Sequence, residues 1–214
     1  MAFEPEPTGT SSPPAAEQLS GQTLTRNLRL RPIDLGDEQA VADVCAVFRN
    51  PGTWTHLPAA RPQADAQVRD YLTGHVRSWH DHGLGWWFVW LRDPPAHGKD
   101  AVLGVGGCAM TRPDIPAWNL GYRLDPTVWG HGFASEIARV GLATAKAVAP
   151  AFPVTARALE RNPASWRVLD KCGMTLVWRG DATSDDPLTT GLARRIYADR
   201  PIDSGLLDQL IALG

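Results

Sequence analysis

The strongest constraint on this chain is a glycine turn that joins a strand to a helix. The segment DPTVWGHGFASEIA, residues 125–138, follows an apolar run that ends at Leu124. It leads directly into Phe133, Ile137, Val140, Thr144 and Val148, which recur at helical spacing until Pro150 ends the pattern. Gly130 and Gly132 let the backbone approach a ligand closely, and the first helical turn offers unpaired N–H groups and the positive end of the helix dipole. The turn is therefore suited to a phosphate or pyrophosphate. It is not a P-loop, because no lysine follows Gly132. A second glycine run, Gly104, Gly106 and Ala109, spells G-x-G-x-x-A but is followed by MTRPDIP. Its two prolines forbid the helix that a dinucleotide fingerprint must open, so close packing or a bulge within a strand is expected there.

The rest of the chain alternates strand and helix patterns. Leu28 and Leu30 alternate with arginines up to Pro32, which predicts a short first strand. Residues 37–47 place Val41, Val44, Cys45 and Phe48 on one helical face, and residues 63–80 place Val68, Leu72, Val76 and Trp79 on another. Strands are expected over 86–91, 102–110, 119–124, 154–159, 175–178 and 194–198, with a short helix over 163–171. No repeat or internal linker interrupts this order, so residues 24–200 read as one α/β (α+β) domain around a mixed sheet of about six to seven strands. Residues 1–23, rich in Pro, Glu, Ser and Thr, have little to bury and read as a flexible tail. Residues 201–214 read as an amphipathic helix whose apolar stripe is to be covered by the domain or by a second subunit, leaving a homodimer open.

Composition removes several function classes. With 21 basic and 23 acidic residues the formal charge is −2, so no bulk field recruits nucleic acid or an anionic membrane. Cys45, Cys108 and Cys172 form no C-x-x-C pair, which argues against a disulfide framework and a cysteine zinc site. His75, His80 and His82 do not share one helical face, so no metal is expected. The longest apolar run, residues 86–91, is far too short to span a bilayer, and the amino-terminal segment has acid and proline where a signal peptide has basic and then apolar residues. A cytoplasmic location is expected.

The glycine turn also carries a resemblance. W-G-H-G-F-A at 129–134 resembles the Q/R-x-x-G-x-G/A pyrophosphate loop of the Gcn5-related N-acetyltransferases, with Gly132 and Ala134 on the small positions and Trp129 where many members carry Gln or Arg. Some thirty residues on, N-P-A-S-W-R-V-L-D-K-C-G-M resembles the family's N-x-x-S-x-x-x-(L/Y)-x-x-x-G-(F/M) signature through Asn162, Ser165, Leu169, Gly173 and Met174. The resemblance covers about residues 28–178. The serine, Leu169 and the tryptophan before the first glycine look most like the ribosomal-protein-alanine acetyltransferase branch.

The resemblance implies a sheet splayed at its centre, helices on both faces, and acetyl-CoA as co-substrate. Its pantetheine arm would lie along Tyr122, Arg123 and Leu124, while Trp129, Gly130, His131, Gly132, Phe133, Ala134 and Ser135 would cradle the pyrophosphate beside Asn162 and Ser165. The implied activity is acetyl transfer to a primary amine, a protein or peptide N-terminus or a small amine, by direct attack in a ternary complex. Such chemistry needs an uncharged amine, a donor to the carbonyl oxygen and a proton for the thiolate. The resemblance places these roles around Ser165, Asn119 and Tyr122. A backbone N–H near Tyr122 would meet the oxyanion. Leu169 stands where many members carry a tyrosine acid, so Ser165, one turn earlier, is the candidate proton donor; it is equally the third residue of a helix capped by Asn162. Asn119 stands where members often carry a glutamate, and an amide takes no proton. Base candidates are then Asp181, Asp185, Asp186 or a water chain. Trp54, His56 and Trp118 are candidates for the acceptor wall, with plain core packing as the alternative for Trp54. Because both commonly cited catalytic side chains are replaced, an acyl-CoA-binding sensor or scaffold without turnover is the competing function.

Overall fold

The alternating runs of this sequence pair into a single eight-stranded sheet, in the order β1-β2-β3-β4-β5-β6-β8-β7. A computed structural model describes residues 21–94, 99–110, 112, 114–182 and 187–213. The strands are β1 (Thr23–Leu24), β2 (Leu28–Pro32), β3 (Trp86–Leu91), β4 (Gly104–Ala109), β5 (Trp118–Leu124), β6 (Val154–Leu159), β7 (Thr175–Asp181) and β8 (Ala193–Ala198). The helices are α1 (Glu38–Arg49), α2 (Asp65–His82), α3 (Phe133–Val148), α4 (Pro163–Lys171) and α5 (Ser204–Ala212). The strand beyond the expected six to seven is β1, two residues long and too short to show a period; it begins at Thr23, inside the segment read as tail. Residues 1–20 of that segment, and the base candidates Asp185 and Asp186, lie outside the described residues.

Period-two alternation divides the tryptophan-rich strand β3 between two cores. Trp87 and Val89 face the core that includes Ile137 and Ala138 of α3, while Trp86, Phe88 and Trp90 face Val41, Val44 and Phe48 of α1 and Val68 and Leu72 of α2. Helices therefore cover both faces of the sheet. The buried face of α2 is rotated from the one expected: Val76 and Trp79 are half-buried, and His75 and Ser78 are buried instead. Ser78 tolerates this because its Oγ donates to the Leu84 carbonyl and accepts the Met110 N–H at 2.9 Å. The three histidines of α2 diverge, with His75 stacked on Trp86, His80 against Asp81 in solvent, and His82 at the edge of the Trp118 ring. Among the described residues no group of His, Cys, Asp or Glu is placed to hold a metal ion, and no helix is long and apolar enough to cross a membrane.

Two contacts test the remaining expectations. A Cβ at Gly106 would stand 2.8 Å from the Tyr122 Cβ and 2.9 Å from Ile137 Cγ2, so this glycine serves close approach of β4 to α3 and not a ligand. The stripe of α5 is covered by its own domain, with Leu206 and Leu210 packed on Ile115, Ala117 and Ile196.

The sheet is continuous only to its middle. β4 and β5 pair along six residues, from Gly104 opposite Leu124 to Ala109 opposite Asn119. β5 and β6 run parallel but pair only at Trp118 with Val154 and at Asn119 with Thr155. Beyond Asn119 they part, and β6 continues its ladder with β8 alone. The splay leaves backbone groups of β5 facing a gap, where an unmet N–H or C=O is costly without a partner.

Candidate active site

The gap between β5 and β6 opens into a cleft of about 790 Å³. That size lies within the roughly 300–1,000 Å³ typical of pockets that enclose a small-molecule ligand. Its floor is β5 on one side and residues 156–159 of β6 on the other, and its two ends are built differently.

At one end lies the glycine turn. Gly130 and Gly132 adopt φ of 84° and 82°, the left-handed region that suits glycine, and Gly132 caps α3. The N–H groups of Ser135 and Glu136 turn back onto the Gly132 carbonyl, at 3.0 and 3.1 Å. Those of residues 130–134 have no backbone acceptor among the described residues, so a row of amides and the helix dipole converge on the cleft. Ser135 is 8% exposed and lines this end. Trp129 contributes a ring and not an amide: its N–H is bonded to the Pro126 carbonyl at 3.2 Å and its indole Nε1 to the Leu124 carbonyl at 2.9 Å. The imidazole of His131 stacks on Phe133 at 5.6 Å and does not line the cleft.

Between the ends, α4 brings Ser165 to the cleft. Asn162 Oδ1 accepts the Ser165 N–H at 3.3 Å as the helix cap, with Pro163 in the first turn. Tyr122 crosses from β5 to donate its hydroxyl to the Ser165 carbonyl at 2.8 Å, and its oxygen lies 3.4 Å from Ser165 Oγ. Burial pushes the Tyr122 pKa well above that of an ordinary phenol, so the group stays protonated. Leu169, one turn on, is 2% exposed and adds apolar lining.

The other end is made of side chains from distant elements. Trp54 follows α1, and its Nε1 donates to the Phe48 carbonyl at 2.5 Å. Its indole stacks on His56 at 6.4 Å, and the Arg123 guanidinium lies 3.6 Å from the Trp54 ring centre. Arg123 Nη1 also donates to the Thr53 carbonyl at 2.8 Å. Burial first, then Arg123 and Arg161, lower the His56 pKa to about 4, so the imidazole is neutral across the physiological range. Trp86 and Tyr71 complete this wall, with Asn119 at the point where the strands part.

Some sequence-based site residues separate here. Trp118 is fully buried, belongs to the α3-side core and does not line the cleft, because it stands where β5 is still paired with β6. Asp181 is at the end of β7 and does not line the cleft, and among the described residues no Asp or Glu does. Tyr122 and Arg123, adjacent in sequence, point to opposite faces and so to different jobs.

Residues 27–175 match the family model described as acetyltransferase (GNAT) domain. The chain belongs to the GNAT acetyltransferase family. Solved structures of the same fold include the ribosomal-protein-S5-alanine acetyltransferase of Vibrio fischeri, with TM-score 0.64, 17% identity, and coverage of 83% of this chain and 95% of that one. A second is an acetyltransferase of Salmonella typhimurium that modifies the N-terminal serine of ribosomal protein L7/L12, with TM-score 0.62, 21% identity, and coverage of 84% and 97%. A third is RimL, a ribosomal L7/L12 α-N-protein acetyltransferase, in complex with coenzyme A, with TM-score 0.64, 19% identity, and coverage of 85% and 98%. In this GNAT acetyltransferase, sequence reasoning did not single out Tyr71, Trp86 or Arg161 as lining the cleft, nor assign the Arg123 side chain to its far end. Alternation along β5 was the available signal for Arg123; the others meet only in three dimensions.

Proposed function

We propose that this protein transfers an acetyl group from acetyl-CoA to a primary amine, on a protein or peptide N-terminus or on a small molecule, within a ternary complex. The observation that carries this is the parting of β5 from β6 at Asn119, which leads without interruption to the row of free amides at residues 130–134. The two fit the two parts of acetyl-CoA: an extended amide-bearing arm for the strand edge, and a pyrophosphate for the amides. The membership in the GNAT family and the coenzyme A complex of RimL support the same choice.

The residues divide the work as follows. Backbone groups of Tyr122, Arg123 and Leu124 hold the arm, and a β5 N–H near Tyr122 meets the carbonyl oxygen as charge develops there. The amides of Gly130, His131, Gly132, Phe133 and Ala134, with Ser135, hold the pyrophosphate; Trp129 adds its ring. As the C–N bond forms and the C–S bond breaks, Ser165 Oγ relays a proton to the thiolate and regains one from solvent, and the Tyr122 hydroxyl fixes the helix turn that carries it. Neutral His56 accepts the amine proton directly or through water. With its pKa near 4 it does not hold that proton at neutral pH but passes it on to water, and the acid limb of the rate reports the acceptor's own ammonium group. Trp54, Tyr71 and Trp86 form the apolar wall beside the attacking amine.

The test is acetyl-CoA calorimetry together with thiol release in the presence of an amine panel. Binding, and release that depends on amine, are expected. Ser165→Ala should lower kcat roughly ten- to a hundredfold, while the acetyl-CoA affinity moves less than about twofold. Binding without amine-dependent release from any acceptor would instead favour a sensor, and an unchanged kcat would remove Ser165 as proton donor.

A further inference from the structure

We propose that the acceptor carries a carboxylate close to its reacting amine, and that the Arg123 side chain receives it. The inference rests on the acetyltransferase function proposed above and concerns the end of the cleft away from the glycine turn. Six cationic side chains, Arg123, Arg157, Arg161, Arg167, Lys171 and Arg194, line the cleft, and no carboxylate does among the described residues. The two on α4 would meet the phosphates of the proposed acetyl-CoA, because the carboxyl end of α4 lies against the amino end of α3: Cys172 Sγ is 3.7 Å from the Ser135 carbonyl. Arg123 is elsewhere. Its contacts are the Thr53 carbonyl and the rings of Trp54 and Phe48, at 3.6 and 5.2 Å, with no carboxylate among the described residues.

A guanidinium withdrawn from water without a counter-charge is costly, and folded proteins ordinarily pair such a group or aim it at an anion. Burial lowers the Arg123 pKa to about 10, which still leaves it charged at neutral pH. Arg161 lines the same cleft as an exposed side chain, and its Nε donates to the His56 carbonyl. A simple or polycationic amine would enter this field against repulsion. An amine with its own carboxylate enters as a partner for Arg123, in the fork geometry that guanidinium and carboxylate share.

The same field bears on deprotonation. Arg123 and Arg161 help keep His56 neutral, and they would equally favour loss of the proton from an ammonium group placed beside it. A substrate carboxylate bound to Arg123 anchors the acceptor while Arg161 retains its effect on the amine.

Two sources supply this chemistry, the α-carboxylate of a free amino acid and an acidic side chain near a peptide N-terminus. Matched pairs separate them: each of the twenty amino acids against its amide, and carboxyl-amidated tripeptides with Asp or Glu at the second position against Asn or Gln. In one of the two sets the acid should have at least tenfold the kcat/KM of its neutral partner. In Arg123→Gln that ratio should fall toward one, Arg123→Lys should restore part of it, and Arg161→Gln should lower it less. The ratio is the readout, so a general loss of rate does not mimic the effect, and thermal unfolding of each variant checks its fold. Equal use of acid and amide in both sets, or a preference for neutral or polycationic amines, overturns the proposal. A parallel calorimetric titration with the N-acetylated acids and their amides, with and without coenzyme A, separates this proposal from the one beneath it. Acids binding to the native protein and not to Arg123→Gln, with no acetyl-CoA binding, would leave the carboxylate site standing while the transferase function falls. If no acid is preferred in rate or in binding, the carboxylate site falls and the acetyl-CoA site is untouched.

Discussion

The two ends of the cleft differ in what they are made of. The glycine-turn end is main chain: five consecutive amides, two glycines in left-handed conformation and one helix terminus, all within residues 129–135. The far end is side chain: Trp54 and His56 from the segment after α1, Tyr71 from α2, Trp86 from β3, Arg123 from β5 and Arg157 from β6. A main-chain site can bind a common group in only one way and changes only if its backbone changes. A site of side chains on separate elements can be altered one residue at a time without loss of fold. Under the proposed function, the pyrophosphate common to every acyl-CoA would be met by the first kind, and the acceptor, which differs between enzymes, by the second.

The largest expected effect breaks the first end. Gly132→Glu places a carboxylate where the pyrophosphate would lie and forces an L residue to φ of 82°. Acetyl-CoA affinity should fall by at least about a hundredfold, roughly 3 kcal/mol. Gly132→Ala is the control: its Cβ would meet nothing within 4 Å, so only the backbone strain remains and most of the affinity should survive. Equal losses in calorimetry would mean that the turn conformation, not the approach of the ligand, governs binding.

This contrast also explains what the sequence disclosed. The glycine turn, α3 and the cap of α4 are local, so their spacing placed α3 at Phe133–Val148, α4 at Pro163–Lys171 and β6 at Val154–Leu159 as they stand in the fold. The closeness of Tyr122 to Ser165 depends on how β5 and α4 meet across 43 positions, and no spacing encodes it. Trp118 was misplaced for a similar reason: a tryptophan beside Asn119 reads equally as wall or core until the pairing of β5 with β6 sets where the cleft begins. The buried face of α2 was read from apolar residues alone, so His75 and Ser78, polar and buried, did not enter the pattern.

A smaller effect should fall on the second end alone. Gly121 lies under Trp86, and a Cβ there would be 2.4 Å from Trp86 Cζ2. The indole has little freedom to yield, because it stacks on His75 at 4.2 Å and its carbonyl accepts the Trp79 Nε1 hydrogen at 2.8 Å. Gly121→Ala should therefore displace the acceptor wall, raising the amine KM about tenfold and costing about 1–3 kcal/mol of stability. Acetyl-CoA affinity should change less than threefold in the same preparation. A loss shared equally by both substrates would show that the two ends are one mechanical unit, and the division drawn above would not hold.

The smallest effect concerns what lies beneath that wall. His75 is 2% exposed, its Nδ1 has no hydrogen-bond partner, and burial lowers its pKa to about 3. Between the unfolded value near 6.5 and that folded value the unfolded chain binds the additional proton, so stability is intact above about pH 6.5 and declines as pH falls below it. By pH 4.5 the loss assignable to this group is on the order of 2–3 kcal/mol. His75→Leu removes the titration while keeping an apolar support for Trp86. Its Tm should therefore fall less than that of the native protein between pH 7 and pH 4.5, by several degrees, although its Tm at pH 7 is expected to be lower for loss of the ring stack. Parallel curves for the two proteins would mean that His75 is protonated without penalty, and that the acceptor wall has water beneath it where the fold shows packed rings.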